Sequence, residues 1–177
     1  MNKKIVLAAI FLVFLGLIML YFQRGGGVQP QLYKVQTMAF YIAGTKYEGK
    51  STDKKLQNIL QQAHQYRDSQ QLKGTLAVVY EGNPDANKVI KATIGVIVED
   101  TAGLQLPEGY QLRLFPAMRT VRAETKAHVS VTPNADKINE AIRDFARKSG
   151  LNLDTLYIER YYNEEHTTAD IKVKDFE

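Results

Sequence analysis

The chain has 177 residues, no cysteine and no tryptophan, and a formal net charge of +4. Three of its 23 basic residues precede residue 25 and no acidic residue does, so the remaining 20 basic and 19 acidic residues give a net charge of +1. This balance excludes the basic surface of a nucleic-acid-binding domain, and the lack of cysteine excludes disulfides.

The first predicted element is an apolar segment. Residues 5–22 contain no charged side chain and are flanked by Lys3, Lys4 and Arg24. A helix of this length reaches about 27 Å, close to the thickness of the bilayer hydrocarbon core. A cleaved signal peptide is the alternative, although its apolar core is usually shorter.

We therefore predict three segments: a transmembrane signal anchor over residues 1–24, a linker over 25–31 and a globular domain over 32–177. The lysines before the apolar run favour a cytoplasmic N-terminus. A single-pass membrane protein with its globular domain on the extracytoplasmic side follows, with the lipid bilayer as a partner through residues 5–22.

The globular part contains two similar helical stripes, and each follows the i, i+3, i+4, i+7 spacing of one helix face. They are Leu56, Ile59, Leu60 and Ala63, and, 82 residues later, Ile138, Ala141, Ile142 and Phe145. A tyrosine-bearing strand follows each helix. The pattern predicts an α+β fold in which two strand-helix-strand-strand units, about 33–98 and 110–173, form an antiparallel-rich sheet with two helices. The junction of such units predicts a cleft that binds a ligand.

Turn residues and β-rich runs place the elements in chain order. Predicted strands cover 32–43 with a kink near Met38, then 75–80, 92–98, 110–115, 118–131, 154–162 and 168–173. The first helix is predicted to begin at one of the capping residues 51–53 and to fade over 66–70. The second is predicted to begin at Thr132-Pro133 and to stop at Gly150.

Residues 44–51 match the phosphate-binding pattern G-x-x-x-x-G-K-[ST], which would place Lys50 on a phosphate and Ser51 on magnesium. That class of domain needs parallel strands joined by helical crossovers. Residues 75–131 contain four predicted strands and no predicted helix. We therefore predict no nucleotide binding, with Gly44 and Gly49 shaping the turn before the first helix and Ser51 or Thr52 capping it.

The candidate binding residues lie in a later strand. The run 157–161 alternates, so Tyr157, Glu159 and Tyr161 share one strand face. Aromatic rings offer apolar area and cation–π attraction, and a carboxylate between them pairs with a cation. The alternative is a solvated face on which Glu159 pairs with a lysine. Histidines at ligand spacing and nucleophile motifs are absent from the sequence, so we predict no metal and no cofactor.

Four short motifs, in this order, resemble the gyrase-inhibitor-like (GyrI-like) family: residues 77–84, 92–98, 114–117 and 157–161. The resemblance covers about residues 33–173. It implies a duplicated strand-helix-strand-strand fold whose cleft binds amphipathic, often cationic compounds. It also implies that Glu159 is the cleft glutamate, and that the aromatic lining includes Tyr41, Tyr80, Tyr157 and Tyr161.

Three functions compete at this point. The first is a membrane-tethered binding domain for lipophilic or cationic small molecules. The second is a hydrolase with Glu159 as general base, which the lack of tryptophan disfavours. The third is a tethered adaptor with a vestigial cleft and an unidentified protein partner. No segment of the chain has room for the DNA-binding part of the family's regulators, so we predict no nucleic-acid partner.

Overall fold

The computed structural model describes residues 3–82 and 89–174, with side chains from residue 10 onward. The elements in chain order are α1 (Lys3–Gln23), β1 (Gln31–Thr37), β2 (Phe40–Lys50), α2 (Lys54–Asp68), β3 (Gly74–Tyr80), β4 (Val89–Val98), β5 (Gln111–Phe115), β6 (Met118–Thr125), α3 (Ala135–Lys148), β7 (Leu153–Asn163) and β8 (His166–Val173). The prediction of an α+β fold with an antiparallel sheet is confirmed.

The eight strands form one antiparallel sheet in the order β1-β6-β8-β7-β3-β4-β2-β5. This order is symmetric about the β7–β3 pair, so β2-α2-β3-β4 matches β6-α3-β7-β8. The leading strands are exchanged: β1 pairs with β6 and β5 pairs with β2. Each repeat therefore completes the edge of the other, a pairing that the hydrophobic pattern does not encode.

The sheet curls strongly. Thr37 ends β1 and Phe40 begins β2, so three Cα–Cα steps span at most about 11 Å. In a flat sheet, strands six places apart would be separated by about 29 Å. The same short link joins Phe115 of β5 to Met118 of β6. The edges must therefore curl together on the face opposite α2 and α3, which we call the inner face.

The inner face is buried without a covering helix. Its apolar residues are Ile42, Ala77, Val79, Phe115, Met118 and Ile158. Beside them Asp170, which is fully buried, accepts two hydrogen bonds from Arg122, at 2.7 and 2.9 Å, and one from Arg160. The Arg160 guanidinium also lies 5.1 Å from the centre of the Phe40 ring. These contacts pair the buried charges of the inner face with one another.

The two helices cover the other face, and their stripes pack as predicted. Leu56, Ile59 and Ala63 of α2 lie over β2–β4, and Ile138 and Ile142 of α3 lie over β6 and β8. The start of α3 differs from the prediction. β6 ends at Thr125, residues 126–134 form turns, and Asn134 caps the helix by accepting a hydrogen bond from the Lys137 backbone N–H. Gly150 ends it with a φ of +65°, as predicted.

The predicted turn at residues 44–51 is mostly a strand. β2 continues to Lys50, and Gly44 lies opposite Gly95 of β4. A Cβ on Gly44 would lie 2.4 Å from the Ile94 carbonyl oxygen, so this glycine permits close backbone approach and does not form a turn. Of the capping candidates 51–53, Asp53 is the cap, because it accepts a hydrogen bond from the Lys55 N–H, so the choice of Ser51 or Thr52 is wrong. An extended backbone cannot wrap around a phosphate, which removes the geometry that the motif requires.

Helix α1 ends in a glycine turn that contacts the globular part. Gly25 has a φ of +79°, its N–H donates to the Phe22 carbonyl at 3.0 Å, and the Gly26 N–H donates to the Tyr21 carbonyl at 2.9 Å. This is the Schellman pattern of a helix C-terminus. The Arg24 carbonyl then accepts the His128 N–H at 3.0 Å. The segment predicted as a linker thus begins as an ordered cap, held against the loop that precedes α3.

Within the part of the chain that the structure describes, no helix combines the length and the apolar character needed to cross a membrane.

Candidate ligand-binding site

Glu159 lies at the junction of the two repeats. It is paired with Val78 across the central β7–β3 ladder, and its Oε2 accepts hydrogen bonds from the hydroxyls of Tyr161 at 2.8 Å and Tyr80 at 3.3 Å. The Tyr80 ring stacks on Tyr157 with 5.6 Å between centroids. The structure therefore brings together four of the five predicted binding residues around one carboxylate.

Burial dominates the electrostatics of this cluster. Desolvation raises the pKa of Glu159, and interactions with the hydroxyls of Tyr161, Tyr157 and Tyr80 oppose that rise. The phenol pKa values of Tyr80, Tyr157 and Tyr161 are also raised, first by burial and then by the neighbouring charge of Glu159. Among the described residues no Lys, Arg or His lies within ion-pairing distance of Glu159. The described residues therefore offer Glu159 no lysine partner, and its carboxylate is half-buried.

Two cavities meet at Tyr157 and Glu159. The first, of about 220 Å³, lies beneath the start of α3. The second, of about 370 Å³, lies between the N-terminal end of α2 and the polar side of α3. We call them the inner cavity and the groove, and both lie on the helix face of the sheet, not on the inner face. Among the described residues, Glu159 is the only charged one that lines the inner cavity, whereas the groove is also lined by Lys91, Asp136, Arg143 and Asp154.

The site exists because the second repeat departs from the first. The two repeats are related by a pseudo-two-fold axis through the Glu159–Val78 pair of the central ladder. This symmetry makes Glu159 equivalent to Val78, and Tyr157 equivalent to Leu76. Both first-repeat partners are buried core residues beneath α2. The same symmetry, followed through β4 and β8, relates Tyr47 of β2 to Thr125 of β6.

Tyr47 occupies the space beneath the start of α2, where it is 3% exposed and donates to the Lys50 carbonyl at 2.6 Å. Thr125 is too small to fill the equivalent space beneath α3, and there the inner cavity opens. In the first repeat, therefore, a tyrosine side chain fills the space that is a cavity in the second repeat.

Tyr41 lies elsewhere. It is on the helix face of β2 but pairs with Val98, six residues along the strand from Tyr47, and it lines neither cavity. Its side chain is 40% exposed beside Leu114 of the edge strand β5. A contact between Tyr41 and a ligand held at Glu159 has no support in this arrangement.

Sequence reasoning did not select several of the lining residues. Thr125 and Val129 line the inner cavity, and Asn139 and Arg143 line the groove from α3. A signal existed for the last two, because polar residues at positions 136, 139 and 143 recur on one side of α3, away from its apolar stripe. Polar helix residues usually face water, and only the tertiary arrangement turns these toward a cleft.

The described residues contain no group of three or more His, Cys, Asp or Glu side chains that could hold a metal ion.

Residues 31–174 match the family model of the GyrI-like small molecule binding domain. Three solved structures share the fold. The protein SAV2435, bound to tetraphenylphosphonium, is 13% identical with a TM-score of 0.55, and the match covers 83% of this chain and 94% of that one. A hydrolase from Listeria innocua is 11% identical with a TM-score of 0.55, covering 82% and 93%. The C-terminal domain of EcmrR is 9% identical with a TM-score of 0.58, covering 84% and 100%. The search of curated proteins gave no match.

Proposed function

This chain belongs to the GyrI-like small-molecule-binding family, and we propose that it binds an amphipathic cation in the cleft between its two repeats. The observation that carries the proposal is Glu159. It is a half-buried carboxylate, desolvated by its tyrosine neighbours, that accepts hydrogen bonds from two tyrosines and has no cation beside it among the described residues. A carboxylate withdrawn from water is costly unless a positive charge compensates it, and a ligand would supply that charge.

The surroundings of Glu159 suit a cation that carries apolar groups. The stacked rings of Tyr80 and Tyr157 offer π faces and apolar area beside the carboxylate. The inner cavity adds Ala123, Val129 and Ile138. SAV2435 binds tetraphenylphosphonium, a bulky lipophilic cation, on the same fold. A delocalised cation loses little hydration on entering such a cleft, so charge pairing is gained at a low desolvation cost.

The test is calorimetric titration of tetraphenylphosphonium and of neutral triphenylphosphine oxide into the full chain in maltoside micelles. Glu159→Gln removes the charge and keeps the shape. We expect it to weaken the cation by roughly 1–3 kcal/mol and to spare the neutral compound. Glu140→Gln on the exposed side of α3 is the matched control. Equal binding of the cation by wild type and Glu159→Gln would refute the proposal.

Hydrolysis is the second candidate, and the raised pKa of Glu159 favours it because a general base works best with a pKa near the working pH. Incubation of the protein with strained-ring electrophiles, followed by mass spectrometry, separates the two candidates. Turnover lost in Glu159→Gln would support a hydrolase, and binding without turnover supports a receptor. If neither binding nor turnover is detected, the result would support the adaptor function.

We propose further that α1 anchors the protein in a membrane, with the globular domain on the extracytoplasmic side. The described residues alone form no spanning helix, so the proposed span is the whole run of residues 5–22. Its support is that this run carries no charge behind Lys3 and Lys4, and that α1 exposes apolar side chains between Ile10 and Phe22. Carbonate-washed membranes should retain the full chain. Protease added to intact cells or spheroplasts should cleave the globular domain. Release of the chain by carbonate would refute the anchor, and protection from protease would refute the orientation.

A further inference from the structure

We propose that the ligand of this site is a zwitterion: a quaternary or protonated amine that lies against Glu159 and carries an oxyanion a few bonds away, which binds in the groove beside Arg143. This inference rests on the proposed binding function and specifies the class of ligand. A lipophilic cation alone would use the inner cavity and Glu159 and would leave the groove's positive charge without a partner.

The first observation is the unequal charge of the two cavities. In the part of the chain that the structure describes, Glu159 alone brings charge to the lining of the inner cavity, so that space suits the apolar part of a ligand. The groove is lined by Arg143 from the side of α3 that faces the cleft. The Arg143 Nε donates to the Asn139 Oδ1 at 2.9 Å, which fixes the plane of the guanidinium. Neither Nη has a partner among the described residues, so both are available to a bidentate oxyanion.

The other charges in the groove are explained without a ligand. Lys91 pairs with Glu48 at 3.0 Å, and Asp154 pairs with Lys172 at 3.5 Å. Asp136 lies in the first turn of α3, where the helix dipole favours a carboxylate. Arg143 is exposed on α3, and neither it nor Glu159 forms an ion pair with a described residue, so the groove holds two opposite charges that one ligand can bridge.

The second observation is the hydroxyl of Tyr157. It is buried, lines both cavities and lies beside Glu159, whose pKa it helps to lower, but it is not aligned for the hydrogen bonds that Tyr80 and Tyr161 donate to that carboxylate. A buried donor without a partner is unfavourable, so the free protein offers a hydrogen bond that an oxygen acceptor on the ligand can take. A purely cationic ligand has no acceptor, whereas the oxyanion of a zwitterion does.

The test compares two water-soluble probes, benzyltrimethylammonium and benzyl(carboxymethyl)dimethylammonium, which share the ring and the quaternary nitrogen and differ by one carboxylate. Calorimetry on the full chain in maltoside micelles should show tighter binding of the betaine. Arg143→Gln should weaken the betaine about tenfold and leave the simple cation unchanged or slightly tighter. Arg147→Gln, one turn further along α3 and outside the groove, is the matched control.

Tyr157→Phe keeps the ring and removes the hydroxyl, and it should weaken the betaine while sparing the cation. If the betaine binds no tighter than the cation and Arg143→Gln affects both alike, the zwitterion assignment is wrong although the binding function stands. If Glu159→Gln affects neither probe, the proposed function fails as well.

The same chemistry occurs in phosphatidylcholine headgroups and in soluble betaines. Adding phosphatidylcholine to the micelles, with phosphatidylglycerol as the control lipid, should lower the apparent betaine affinity if the natural ligand is a lipid headgroup. Unchanged affinity in both lipids, together with the Arg143 effect, would assign the site to a soluble zwitterion.

Discussion

The sharpest consequence of the buried carboxylate is a pH dependence of cation binding that belongs to one residue. Burial raises the pKa of Glu159 in the free protein. A bound cation stabilises the ionised form and lowers that pKa again, so binding releases a proton whenever Glu159 is protonated beforehand. Cation affinity should therefore be full above the raised pKa of the free protein. It should fall by up to tenfold for each pH unit below that pKa, until the pKa of the complex is reached.

The size of the effect follows from the contact. A unit charge about 4 Å from the carboxylate is worth about 4 kcal/mol at an effective dielectric of 20, and desolvation of both groups offsets part of it. We expect 1–3 kcal/mol to remain, so tetraphenylphosphonium should bind about 5- to 160-fold more weakly to Glu159→Gln, without the pH dependence. Titrations between pH 4 and 8, in pairs of buffers with different ionisation enthalpies, would measure both the affinity and the protons released.

A cation affinity that does not change with pH in the wild type, or a wild-type pH dependence in Glu159→Gln, would refute this mechanism. A slope retained in the variant would assign the proton to another group, and the raised pKa of Glu159 would then have no role in binding. Glu140→Gln, whose carboxylate is exposed on α3, should reproduce the wild-type profile and so exclude an effect of net charge alone.

Three further predictions test the fold around the site. Gly95→Ala should lower the free energy of unfolding by roughly 1–3 kcal/mol in urea titrations, because a Cβ there would lie 2.0 Å from the Ala43 carbonyl oxygen; an unchanged midpoint would contradict the close approach of β2 and β4. Lys50→Ala should leave stability and ligand binding unchanged, and magnesium-ATP should not shift the melting temperature of either protein, since Lys50 ends a strand. Thr125→Tyr should fill the inner cavity as Tyr47 fills the matching space in the first repeat, raising the melting temperature and weakening bulky ligands; tetraphenylphosphonium bound at wild-type affinity would show that ligands do not enter that cavity.

Local sequence periodicity predicted the helix stripes and the strand alternation of this structure correctly. The stripes of α2 and α3 follow the 3.6-residue repeat, and the alternation of Tyr157, Glu159 and Tyr161 places them on one strand face whatever the neighbours. The resemblance of residues 77–84 to a known family added Tyr80. Short-range patterns of this kind survive any arrangement of the rest of the chain.

The missed parts depend on tertiary pairing. β2 runs through Gly44 because Gly95 lies opposite it, and a glycine pair across a curled sheet has the same sequence appearance as a turn. The exchange of β1 and β5 is set by the curl of the sheet. Arg143 looks like an ordinary surface residue until α3 is placed beside the groove. Each of these features needs knowledge of a partner segment that is distant along the chain.

The two repeats contribute differently to the cleft: the first provides a packed core, and the second provides the carboxylate and the cavity. The first keeps Leu76, Val78 and Tyr47 as a packed core, which holds β3 rigidly against β7. The second replaces the equivalents of these residues with Tyr157, Glu159 and Thr125, and so acquires an acceptor for positive charge and a cavity beside it. A carboxylate placed at random in a core would destabilise the fold, but here the first repeat provides the Tyr80 hydroxyl, which donates a hydrogen bond to it. Duplication thus supplies a scaffold in which one copy bears the stability and the other can carry a desolvated charge, which the proposed cationic ligand would compensate.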